Sequence, residues 1–220
     1  MWISNAGDER AAKSIDESLR KLETDYIDLL LIHQAFGDYY GTYRAMQKAL
    51  EAGKVRAIGL SNFVDARFVD LVENMEVKPA DLQLETHVFS QQKRMRELMA
   101  PYGTRLMAWA PLAEGRNGIF THPTLTAIGA KYGKSAAQTA LRFLMAEDVI
   151  AIPKSVHRER LVENFSIDDF ELSAEDLDAI RALDGGKPMF ADFNDPVLAK
   201  FLLEYDAKFN PERQQKTQTD

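Results

Sequence analysis

The sequence contains no cysteine, which removes disulfide staples, thiolate nucleophiles and sulfur-ligated metal together and fits a reducing, cytoplasmic setting. It has no apolar run approaching the roughly 20 residues of a membrane-spanning helix. Its first residues, Met1 to Asn5, lack the basic region and apolar stretch of a signal peptide. It has no excess of positive charge either: 27 Lys and Arg face 34 Asp and Glu, a net charge of −7. A protein that neutralises phosphate backbones concentrates cations, so nucleic acid is not expected as a partner. His87, His122 and His157 share no metal-like spacing, and no metal site is expected. No repeat of solenoid period is visible, and the one low-complexity stretch is the polar end from Gln214 to Asp220, expected to be frayed.

What the sequence does contain is enough apolar material, 45% of 220 residues, to bury one sizeable core. Five short runs read as buried strands: Tyr26 to His33, Val55 to Asn62, Leu82 to His87, Arg105 to Leu112 and Val149 to Ser155. Several are apolar almost throughout, the pattern of parallel strands covered on both faces. Helical spacing fills much of the intervening sequence, at 8–22, 42–52, 66–73, 91–100, 136–146 and 174–183, and a last amphipathic helix is expected over 195–209. Ser173 with Asp176 reads as an amino-terminal cap and Gly53 as a helix stop. Strand and helix alternate, which leaves an open doubly wound sheet and a (β/α)8 barrel as the two architectures.

Polar residues decide between them. His33-Gln34, Ser61-Asn62, Glu85-Thr86-His87 and Lys154-Ser155 all stand where strands end, and in a barrel that carboxyl face carries the chemistry. The expected fold class is therefore α/β of the (β/α)8 TIM-barrel type. A closed barrel needs eight strands and about 250 residues, whereas about five parallel strands are found, so an amino-terminally truncated barrel is expected. The division expected along the chain is a partial barrel over 1–184 followed by a carboxyl-terminal segment and tail over 185–220.

Three motifs carry a family resemblance. Tyr26 to His33, Gly53 to Phe63 and Ile152-Pro153-Lys154-Ser155 resemble the aldo-keto reductase signatures and follow their order. The run from Trp109 to Asn117 is similar to the bacterial 2,5-diketo-gluconate reductase-like branch. The resemblance implies a barrel that binds NADP(H) at its carboxyl face and reduces a small aldehyde or ketone by hydride transfer. It is not a Rossmann fold, and the lack of a GxGxxG turn fits.

Residue by residue, the resemblance implies that His33 orients and polarises the substrate carbonyl. Ser61, Asn62 and Gln83 match residues that hydrogen-bond the nicotinamide carboxamide, and Trp109 stands where an aromatic, most often Tyr, stacks on the ring. Lys154, Ser155 and Arg160 match residues that grip the 2′-phosphate, and Glu163 and Asn164 match adenine contacts. Trp2, Phe190 and Phe193 are expected as apolar walls of the substrate pocket, and Glu85 as a structural or pocket-lining carboxylate. Each has a plainer alternative: strand-end polar groups, a Ser-Asn turn, a bulky core indole, a solvated helix face. The family's proton-donating Tyr, with the Lys and Asp that tune it, has no match, and the Lys would fall just before Met1. Reduced or absent activity of the chain alone is therefore expected, the alternative reading being a non-catalytic NADP-binding or scaffold fragment. Strand edges left unpaired would favour self-association.

Overall fold

The computed structural model describes residues 1–209. Helix α1 (Asp8–Leu22) opens with Asp8 and Glu9 and closes with Arg20 and Lys21, charges that oppose the partial charges of its ends. It buries Ala11 and Ile15 on one face. Strand β1 (Ile27–Ile32) follows, then α2 (Tyr39–Glu51), β2 (Val55–Ser61), α3 (Ala66–Asn74), β3 (Asp81–Glu85), α4 (Lys93–Met99) and β4 (Arg105–Trp109). Two helices, α5 (Pro123–Tyr132) and α6 (Ala136–Ala146), precede the short β5 (Ile150–Ala151), after which come α7 (Arg158–Phe165), α8 (Ala174–Arg181) and α9 (Pro196–Phe209). The strands form one five-stranded sheet in the order β1-β2-β3-β4-β5. Its β1–β2 pairing is parallel with Ile27 opposite Val55, and β4–β5 is parallel with Met107 opposite Ile150. Consecutive parallel neighbours joined by helices are the wall of a (β/α) barrel, and five is the number of strands the apolar runs predict. The polar end from Gln214 to Asp220 lies outside the described residues.

The chain divides into two compact units. Among the described residues the first comprises 1–82, 101–104 and 191–209; the second comprises 83–100 and 105–190. In the first unit, Asp38 caps α2 by accepting the Gly41 N–H at 2.8 Å. Tyr43, Ile58, Leu60, Phe63 and Phe68 are fully or almost fully buried there. In the second, Ser135 and Gln138 form a reciprocal capping box at α6, which satisfies two otherwise orphaned N–H groups. The predicted cap at Ser173 is present, its hydroxyl accepting the Asp176 N–H at 3.2 Å.

Three differences from the sequence reading have physical causes. Helix α5 goes unpredicted because Gly129 and β-branched Thr and Ile residues weaken its propensity. Its Gly129 is required by packing, since a Cβ there would collide with the Lys134 carbonyl. Helix α7, expected only as the helix entered at Arg160 and given no bounds, lacks the buried stripe that would mark them, because its opening is charged and Leu161, Val162 and Phe165 are exposed. Strand β5 is two residues long instead of seven, because Pro153 has no N–H to continue the ladder.

Candidate active site

Within the first unit, the carboxyl ends of β1 and β2 carry a connected set of polar groups. The His33 N–H donates to the Met1 carbonyl at 2.9 Å and the Met1 amino group donates to Leu31 O at 2.6 Å. These two bonds bracket Ile32 in the pattern of a parallel ladder, so Met1 fixes the end of β1. Trp2, next in the chain, meets the His33 ring edge-on at 5.1 Å and 68°. The Asn62 side-chain amide donates to the His33 carbonyl at 3.2 Å, tying the end of β2 to the end of β1. Asn62 holds φ at +62°, a left-handed conformation that Asn tolerates better than most residues. Neighbouring Ser61 is 1% exposed, and its Oγ has no hydrogen-bond partner among the described residues. A buried hydroxyl without a partner costs free energy, and this one stands at a strand end.

The His33 side chain is exposed. Atoms packed around its ring lower its pKa by desolvation, and the Met1 amino group adds a smaller push in the same direction. The imidazole is thus kept neutral around neutral pH, with one N–H to donate. Phe193, from the carboxyl-terminal segment of this unit, is 9% exposed and its carbonyl accepts from Arg67 at 2.6 Å.

Within the second unit, Lys154, Ser155, Arg160, Glu163 and Asn164 line one cavity of about 570 Å³. Proximity in sequence brings them together: the chain leaves β5 through Pro153 and turns directly into α7. His157, at the amino-terminal cap of α7, makes no side-chain capping bond, which leaves that helix end's N–H groups available to an anion. Neither Lys154 nor Arg160 forms an ion pair among the described residues. Two unneutralised cations beside a helix amino terminus, in a cavity also lined by Phe120 and Leu112, suit a ligand with phosphate and a flat apolar ring.

Elsewhere in this unit, Gln83 Nε2 lies 3.3 Å from Met107 Sδ. Trp109 is half-buried at the end of β4, its ring 5.7 Å from that of Phe190. Sequence reasoning gave Glu85 only a general role and passed over Asp81. Glu85 is 3% exposed and accepts backbone N–H groups from Met189 and Phe190. Asp81, also 3% exposed, has no partner for either carboxylate oxygen among the described residues. The signal for Asp81 is slight: an acid opening a run whose apolar residues are Leu82 and Leu84, alternating with Gln83 and Glu85.

The matching family model is that of the aldo/keto reductase family, over residues 1–185. This chain belongs to the aldo-keto reductases. It is 41% identical over 184 residues to the glyoxal reductase of Bacillus subtilis, an alignment that covers 83% of this chain and 66% of that one. Among solved structures, a putative 2,5-diketo-D-gluconic acid reductase B superposes with a TM-score of 0.82 at 35% identity, covering 89% of this chain and 71% of that one. A Bombyx mori aldo-keto reductase in complex with NADP superposes with a TM-score of 0.81 at 31% identity, covering 88% of this chain and 69% of that one. The chain spans just under two thirds of the length of the glyoxal reductase it matches. The fold class and the family implied by the three motifs are thereby established, and the chain is part of an oxidoreductase family. No helix among the described residues is long and apolar enough to cross a membrane.

Proposed function

We propose that this aldo-keto reductase binds NADPH and reduces small aldehydes or ketones to alcohols, working in the cytosol. The observation that carries the reading is the cavity of Lys154 and Arg160, two cations without carboxylate partners among the described residues, at the open end of α7. Arg160 would clamp the 2′-phosphate with two parallel N–H bonds and Lys154 would add a point charge, which favours NADPH over NADH. Ser155 would add a hydroxyl to that grip, and Glu163 and Asn164 would meet the adenine edge. Ser61 Oγ, buried without a partner among the described residues, would bond the carboxamide together with Asn62 and Gln83, and Trp109 would stack on the ring. When bound, NADPH supplies the hydride. His33, neutral and exposed at the end of β1, donates its N–H to the carbonyl oxygen and stabilises the charge that develops there. Trp2, Phe190 and Phe193 supply apolar walls.

A second reading, a cofactor-binding fragment without catalysis, is favoured by the tyrosines. Desolvation pushes Tyr39, Tyr40 and Tyr43 up, and a hydrogen bond to Glu73 does the same to Tyr102. A phenol used as a general acid near neutral pH needs the opposite shift. Titrating the purified chain with NADPH and NADH tests the part common to both readings. Arg160→Ala is expected to weaken NADPH binding by about 10- to 100-fold and to leave NADH binding unchanged. Equal losses for both nucleotides, or no binding by the parent chain, would remove the phosphate assignment.

Self-association belongs to the same proposal. Strands β1 and β5 are the outer strands of the sheet, and Met145, Ile152 and Phe165 around β5 are exposed. Such edges and apolar surface favour pairing with another chain. Sedimentation at rising concentration is expected to show dimers or larger species, and a monomer throughout would dismiss the idea.

A further inference from the structure

Glu85 stands at the carboxyl end of β3 with both carboxylate oxygens engaged. Oε1 accepts the Met189 N–H at 2.5 Å and lies 3.2 Å from His87 Nε2, while Oε2 accepts the Phe190 N–H at 3.1 Å. His87 is completely buried, and its Nδ1 accepts the Phe89 N–H at 3.2 Å. With Nδ1 an acceptor, the proton of the neutral ring is assigned to Nε2, directed at Glu85. Burial pushes the Glu85 pKa up, but the bonds from His87, Met189 and Phe190 together outweigh it and hold the carboxyl below its usual range. A desolvated carboxylate is costly unless it is fully hydrogen-bonded, and this one is satisfied by a loop more than a hundred residues downstream.

The same loop is pinned at its other end. Asp184 Oδ1 accepts the N–H groups of Gln91 at 3.1 Å and Gly186 at 3.2 Å, and the Gly185 N–H donates to Phe89 O at 2.9 Å. Between these anchors Lys187 and Pro188 are exposed. What the Glu85 anchor fixes is the Phe190 ring, which lies 5.7 Å from Trp109 at 54° and 6.0 Å from His87, with the Arg116 guanidinium 4.8 Å from its centroid. The sequence Glu85, Phe190, Trp109 is thus a mechanical chain from a buried charge to a half-buried indole.

We infer that Glu85 is a positioning residue for substrate selection: by clamping Met189 and Phe190 it sets Phe190 against Trp109 and restricts the neighbouring space to small carbonyls such as glyoxal-sized dicarbonyls. The inference rests on the proposed stacking of the nicotinamide on Trp109. Releasing the clamp lets Phe190 swing away and admits bulkier carbonyls. Glu85→Gln removes the charge and leaves only one oxygen to accept, whereas Phe190→Ala removes the wall and keeps the clamp.

The test uses the full chain and two readouts: hydrogen exchange at the Met189 and Phe190 amides, and the ratio of KM for phenylglyoxal to KM for glyoxal with NADPH. Glu85→Gln is expected to speed exchange at those two amides by about tenfold without altering β4, and to lower the KM ratio by about fivefold. Phe190→Ala is expected to lower the ratio alike while the two amides stay protected. Unchanged exchange in Glu85→Gln overturns the clamp. Faster exchange throughout the second unit overturns it too, because Glu85 would then merely hold the core. An unchanged KM ratio in both variants overturns the selection role. If the parent chain turns over neither aldehyde, the reductase reading fails, while exchange at Met189 and Phe190 still decides whether Glu85 positions the loop.

Discussion

His33→Ala is expected to lower kcat/KM for a small aldehyde by about 10²- to 10³-fold while leaving NADPH affinity unchanged. The size follows from the loss of one well-placed donor to a developing oxyanion, which costs about 3 to 4 kcal/mol in sites of this type. Affinity should hold because His33 lies at the end of β1, whereas the phosphate grip is proposed for Lys154 and Arg160 after β5. His33→Gln, which keeps an N–H donor, should recover part of the rate. The imidazole acts as a neutral donor, and desolvation followed by the Met1 amino group lowers its pKa. Activity should therefore stay level as pH falls to the usual histidine range and change only below it. A His33→Ala chain with the parent rate would take His33 out of the mechanism, whatever the cofactor result.

Asp81→Asn is expected to stabilise the protein above pH 6 by about 2 to 3 kcal/mol and to have little effect below pH 4. Asp81 opens β3 almost completely buried, neither carboxylate oxygen has a partner among the described residues, and burial pushes its pKa from 3.8 to about 6. The folded chain thus holds this proton more tightly than the unfolded chain. That contribution to stability is fully present below about pH 4 and is lost as pH rises through about 6. Denaturant midpoints of the two proteins should coincide in acid and separate toward neutrality. A constant difference across that range would mean that folding leaves the Asp81 pKa unshifted. Packing gives the site its shape: a Cβ at Gly59 would collide with Asp81 Oδ1 and approach the Leu31 side chain. The Gly59 of the Gly59-Leu60-Ser61-Asn62 motif is therefore demanded by an acid on the next strand.

Much of this fold is legible in the sequence because parallel strands buried on both faces leave continuous apolar runs, as Tyr26 to His33 and Val55 to Asn62 do. Caps such as Ser173 are equally local and equally readable. Helix α5 is not, because its breaker Gly129 is kept for close packing against the turn into α6. The site divides in the same way. Lys154, Ser155, Arg160, Glu163 and Asn164 lie within eleven residues of one another, and one turn of chain gathers them into a cavity. The bond from Glu85 to Phe190 spans 105 positions, and no spacing rule connects a strand-end acid to a loop so distant. Asp81 is an intermediate case: a charge at the start of a strand is visible, but its isolation appears only when its neighbours are placed.

The most direct measurement is transfer of label from NADPH deuterated at C4 of its dihydronicotinamide ring to glyoxal, catalysed by the purified chain. The account predicts an alcohol carrying one deuterium at the former carbonyl carbon, formed in step with NADP⁺ and suppressed in His33→Ala. NADPH that binds, competes with no substrate and yields no labelled alcohol would contradict the reductase reading and leave a cofactor-binding fragment.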